Sequence, residues 1–172
     1  MKKTYLIWLV LVIFIAAPMY AQNDKTLKRP NDIGNGEYDE FKNSSFNTYE
    51  ESNKLNQNLT HIDTEIKEYS GVMSTVSSDK LKGHYRALTS IKGEVEALSA
   101  NLSKLDEKGK SLVSNASNVT PKTKSLQATS NTKKSVESLE HSRKTINSIL
   151  SIVQTDTKLI ADELKSRGEP IE

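Results

Sequence analysis

Residues 81–119 read LKGHYRALTSIKGEVEALSANLSKLDEKGKSLVSNASNV. Within them Leu81, His84, Leu88, Ile91, Val95, Leu98, Leu102, Leu105, Gly109, Leu112, Ala116 and Val119 recur at alternating steps of three and four, and ten of these twelve slots are apolar. A repeat averaging about 3.5 residues keeps one stripe on a single side of a helix, as in helices packed lengthwise on one another. A single long helix with a narrow apolar seam cannot bury that seam alone, so partners are required.

Two further seams supply them. Upstream, Leu55, Leu59, Ile62, Ile66, Tyr69, Met73 and Val76 keep the same alternation, and in phase they extend back through Ser52, Thr48, Ser45, Phe41 and Tyr38. Downstream, Val136, Leu139, Arg143, Ile146, Leu150, Val153, Thr157, Ile160 and Leu164 form the third, widened by Ile149, Ile152 and Leu159. Stops fall between them. Ser77-Ser78-Asp79 is rich in N-cap residues, with Gly71 as a competing end for the first helix. Thr120 and Pro121 read as N-cap and first helical residue of the third, and Gly168 with Pro170 closes it. The expected fold is all-α: an elongated antiparallel three-helix bundle or coiled coil, with helices over about 37–77, 79–119 and 121–167 and a tail at 168–172. Residues 122–132 are poor helix formers, so this stretch is expected to fray or remain a linker, and Gly109 is a soft point in the second helix.

Charge is distributed unevenly among the helices. Residues 37–70 hold eight acids and three bases, 79–119 hold five and seven, and 121–167 hold five and nine. Acidic flanks on the first helix therefore face basic flanks on the others, which favours register more than stability, because an exposed pair contributes only about 0–1 kcal/mol.

The N-terminus carries a separate signal. Lys2-Lys3 precede a run of 13 apolar or aromatic residues from Tyr5 to Ala17, and Pro18 then breaks any helix. This is the pattern of a bacterial export signal over residues 1–21, cleaved after Ala21, and it is short of the ~20 residues that span a bilayer. Met19 at the minus-three position is larger than such sites favour, which leaves retention as an anchor as the alternative. The formal charge of +2 belongs to this leader: without Lys2 and Lys3 the chain has 22 basic and 22 acidic residues. A nucleic-acid partner is thereby disfavoured. Residues 22–36, polar and including Pro30, Gly34 and Gly36, are expected to form a flexible lead, with Asn35 as N-cap of the first helix.

Site chemistry is sparse. The chain has no cysteine, which excludes disulfides, thiol nucleophiles and Cys-type zinc sites. His61, His84 and His141 fall on separate helices and no His-Glu-x-x-His pattern occurs, so neither a metal nor any other cofactor is expected. His84 reads as a polar, register-setting seam residue, and Arg143 as an edge arginine reaching Glu65 or Glu68 of the first helix. Five Asn-x-Ser/Thr triplets, at Asn43, Asn58, Asn101, Asn115 and Asn118, follow from the Asn/Ser/Thr-rich composition. One cluster stands out: Tyr38, Phe41, Phe46 and Tyr49 place four aromatics within twelve residues. They read first as a plug at the bundle end, and as a partner-binding patch if two or more rings are exposed.

The expectation is an exported, non-catalytic helical interaction or structural protein of the cell envelope, binding another protein or self-associating through its seams, without a small-molecule substrate. A membrane-active helical protein of the pore-forming type would need a long uncharged run, and the best mature stretch is the nine residues from Ile146 to Gln154. A holdase-like chaperone would need a broad exposed apolar groove, which narrow stripes do not provide. Seams with Ser/Thr/Asn-rich outer faces recur in many unrelated exported coiled-coil proteins and transfer no function.

Overall fold

Three amphipathic stripes on one chain can be buried only by bringing the helices together, and the computed structural model, which describes residues 27–171, does this. Helix α1 spans Gly36–Tyr69, α2 Ser78–Asn115 and α3 Lys122–Ser166, and the described residues contain no strand. At 1.5 Å per residue these are rods of roughly 50 to 70 Å. Two short 3₁₀ segments, Ser70–Thr75 and Ala116–Asn118, tighten the chain before each turn.

The contacts give the path as up, down, up. Along α1, Tyr38 reaches Leu112, Glu40 reaches Lys108, Thr48 reaches Asn101 and Glu65 reaches Lys80, so α2 runs antiparallel. Asn31 meets Asn131, Tyr49 meets His141 and Met73 meets Arg167, so α3 runs parallel to α1.

The cores of α1 and α2 follow the seams read from the sequence. Leu59, Leu81, Leu88 and Val95 are fully buried, while Ile62 and Val76 are partly so. Helix α3 differs. Its buried line is Ser125, Ala128, Thr132, Ser135, Ser138, Leu139, Ser142, Ile146, Ile149, Val153, Asp156, Ile160 and Leu164. The expected seam shares Leu139, Ile146, Val153, Ile160 and Leu164 with it, but Val136, Arg143, Leu150 and Thr157 give way inward to Ser135, Ser142, Ile149 and Asp156. Hydrophobicity marked the neighbouring column because three of those four inner residues are polar.

Serines can occupy a core here because they satisfy themselves. Ser45 Oγ bonds the Phe41 carbonyl at 2.8 Å, Ser142 that of Ser138 at 2.9 Å, and Thr132 that of Ala128 at 2.7 Å. Such back-bonding removes the desolvation cost of a buried hydroxyl, and the small side chains let two backbones approach closely. The same packing holds 122–132 in helix, where fraying was expected, with Ser125, Ala128 and Thr132 buried.

The ends also refine the reading. Helix α1 stops at Tyr69, eight residues short of the expected 77, and Val72 then leaves helical geometry at φ −133°. Ser77 caps α2, its hydroxyl accepting from Lys80 N. Helix α3 begins one residue later than expected: Pro121 is the flanking residue, in extended geometry, and its carbonyl accepts from Lys124 N at 2.9 Å. The Thr120–Pro121 bond is cis. Gly168, at φ +72°, closes α3, and Glu169 N bonds the Leu164 carbonyl at 3.0 Å, which is the left-handed closure that favours glycine.

The expected leader, 1–21, the first residues of the lead, 22–26, and Glu172 lie outside the described residues. The rest of the lead was expected to be flexible, but 27–35 is docked as an extended strap. Ile33, its buried apolar residue, seats against the bundle, and the Asp39 carboxylate accepts from Ile33 N at 2.8 Å and Asn35 N at 3.0 Å. Asn35 occupies the N-cap position, but its side chain makes no capping bond.

Candidate interaction surfaces and polar clusters

The four aromatics nominated as a partner patch are not on the surface. Tyr38, Phe41, Phe46 and Tyr49 are 5%, 1%, 1% and 4% exposed, so the two or more exposed rings that a partner patch requires are not present and the rings pack as a plug. Helical spacing divides them into two pairs. Tyr38 and Phe41 face α2, where the Tyr38 hydroxyl donates to the Leu112 carbonyl and Phe41 fills the space left by Gly109. A Cβ at Gly109 would lie 2.9 Å from the Phe41 ring, so the supposed soft point is a close approach. Phe46 and Tyr49 turn the other way and pack edge to face at 6.4 Å, with His141 of α3 beyond.

The strap covers this second pair. Arg29 lies over the Phe46 ring at 5.9 Å and bonds Asn47 at 2.7 Å and Glu50 at 2.9 Å, while Leu27 N donates to the Tyr49 hydroxyl. Beneath it Lys42 is only 2% exposed, and its ammonium is bonded to Asp32 of the strap. Asn131 of α3 donates to the Asn31 carbonyl at 2.9 Å, so the strap ties α1 to α3. The Lys42 ammonium holds the Asp32 carboxyl below the usual carboxylate range. The sequence shows the lysine and the aspartate but not that they meet, because the lead contains no periodic pattern.

A second polar cluster lies toward the far end. Glu65 accepts the Lys80 ammonium at 3.2 Å, stands 3.1 Å from His61 Nδ1, and lies 3.5 Å from His84 Nε2. The last contact is an ion-pair approach without hydrogen-bond geometry. Lys80 lowers the Glu65 carboxyl, and burial lowers His84 despite Glu65 beside it. His84 also stacks at 5.9 Å on Tyr69, whose hydroxyl burial pushes up to about 12. These bonds join acidic α1 to basic α2. Arg143, expected to reach α1, instead pairs with Asp106 of α2, since its column faces that helix. Among the described residues, no three His, Asp or Glu side chains are placed to hold a metal ion.

The flanks carry open furrows rather than a closed pocket. One between α2 and α3, of about 560 Å³, is lined by Lys92, Leu150, Val153, Thr157 and Lys158 among others. The exposed large apolar residues divide between the two ends: Val113 and Leu126 lie toward the start of α1, and Val72, Leu159 and Ile171 toward its finish. No described helix is long and apolar enough to cross a membrane. No family model, no curated protein and no solved structure matches the chain.

Proposed function

We propose that the chain is an exported, non-catalytic helical interaction or structural protein of the cell envelope. The observation that carries this reading is the pairing of an export-type N-terminus, Met1 to Ala21, with a bundle whose three seams are filled from its own helices. On this reading a partner meets the charged flanks, because the seams are occupied within the chain; association through the coiled-coil seams is the competing route. Flank contacts of this kind are polar and screened by salt, so association weakens as ionic strength rises.

Expressing the full chain in a Gram-negative host and determining its N-terminus in each cell fraction tests the export half. A periplasmic product beginning at Gln22 supports the reading, and an uncleaved chain confined to the cytosol contradicts it. Cross-linking in the envelope fraction at low and high salt tests the interaction half: a salt-sensitive adduct is expected, and its absence at both salts counts against a binding role.

A further inference from the structure

We infer that the α1/α3 interface around Asp63 and Asp156 is a proton-operated latch, shut when Asp156 carries a proton and loosened when it is ionised. This goes beyond the envelope reading and does not depend on it. Both residues are buried, 8% and 5% exposed, on helices packed parallel to each other. Asp63 has a partner, accepting Lys67 at 2.6 Å. Asp156 has none at its Oδ2, which is buried without a hydrogen bond.

The surroundings share that deficit. The buried side-chain atoms without a hydrogen bond among the described residues are Asp156 Oδ2, Thr157 Oγ1, Tyr69 Oη and His84 Nε2. They belong to one end of the bundle: Thr157 adjoins Asp156, Tyr69 feels the Asp156 charge, and His84 stacks on Tyr69. A core that satisfies Ser45, Ser52, Ser135, Ser138 and Ser142 elsewhere leaves polar groups incomplete here, and an ionised Asp156 would bury a charge with no hydrogen bond at Oδ2, a cost that a proton removes.

The charges facing the site favour uptake of that proton. From α1, Asp63 raises the Asp156 carboxyl and Lys67 opposes it; burial contributes most, and the result is a group pushed up to about 6. Glu65, also on α1, acts on neighbouring Tyr69. From α2, His84 approaches through Tyr69, and Lys92 lines the furrow that Thr157 also lines. An acid raised in the fold binds more protons than the unfolded chain between about pH 4 and 6, so its contribution to stability falls as pH rises through that window.

The test uses the full chain and its Asp156→Asn variant, which keeps the shape and removes the charge. Carbon-13 carboxyl titration should place the Asp156 midpoint near pH 6. The melting temperature of the variant should match that of the unaltered chain near pH 4.5 and exceed it by several degrees at pH 7.5. Amides of 59–69 and 150–164, corrected for intrinsic exchange, should lose protection between pH 5 and 7.5 in the unaltered chain only. A midpoint at the ordinary carboxylate value, a pH-independent difference in melting, or equal protection in both proteins overturns the latch. The titration needs no variant and decides the matter even if Asp156→Asn fails to fold.

Discussion

Gly109 and Phe41 form the tightest glycine contact in the bundle, and they set opposing effects against each other. Alanine in place of glycine inside a helix gains about 1 kcal/mol of propensity. The added methyl meets a ring that is itself 1% exposed and has little room to withdraw, and overpacking of this kind costs roughly 1–3 kcal/mol. Gly109→Ala is therefore expected to lower stability to urea on balance, and the double variant with Phe41→Leu should recover most of the loss. A stabilised single variant would show that the ring moves freely. Lys42 tests the strap in the same way. Asp32→Ala leaves the buried ammonium without its carboxylate and should release residues 27–35, read as faster limited proteolysis in that segment, whereas Lys42→Met should leave the segment protected. Equal cleavage of the two variants would mean that Ile33 and the backbone bonds hold the strap without the ion pair.

Among the elements, the end of α3 acts as a clasp. Arg167 donates to the carbonyls of Val76 at 2.6 Å and Met73 at 2.5 Å and pairs with Glu163 at 2.8 Å, fixing the α1–α2 turn to the third helix. Hydrogen bonds from a charged donor contribute about 1.5–3 kcal/mol each, with solvent reducing the sum for a side chain one-fifth exposed. Arg167→Ala should thus lower the unfolding free energy by about 2 kcal/mol in a chemical melt, and Arg167→Lys, which lacks the fork, should recover little. No change with alanine would contradict the clasp. The elements themselves were legible in the sequence, because the α2 seam and the second half of the α1 seam are mostly Leu, Ile and Val, and the helix ends carry Ser77 and Gly168. The inner column of α3 was not, since Ser135, Ser142 and Asp156 are polar while Val136 and Leu150 beside them are apolar. The same polarity concealed the Asp63 and Asp156 interface: pattern reading locates buried residues by hydrophobicity, and these are buried by position. The aromatic cluster was visible as a group, but its division between α2 and the strap depends on contacts many residues apart.

At the scale of the whole molecule, one chain provides all three walls of its core. Helix α1 packs on both α2 and α3, and α2 packs on α3, so each apolar stripe is covered without a second copy. Buried Leu and Ile side chains contribute roughly 1.5–3 kcal/mol each before conformational entropy is subtracted, and that contribution does not depend on protein concentration when the partners are on the same chain. A bundle assembled from several chains would instead have a melting temperature that rises with concentration. The most direct measurement is therefore the molar mass of the chain from Gln22 onward, by light scattering after gel filtration across a hundredfold range of concentration, with a circular-dichroism melt at each end. The mass of one chain is expected throughout, with a single cooperative helical transition whose midpoint does not move. A mass that grows with concentration, together with a midpoint that climbs, would mean that the seams close between molecules, and would contradict it.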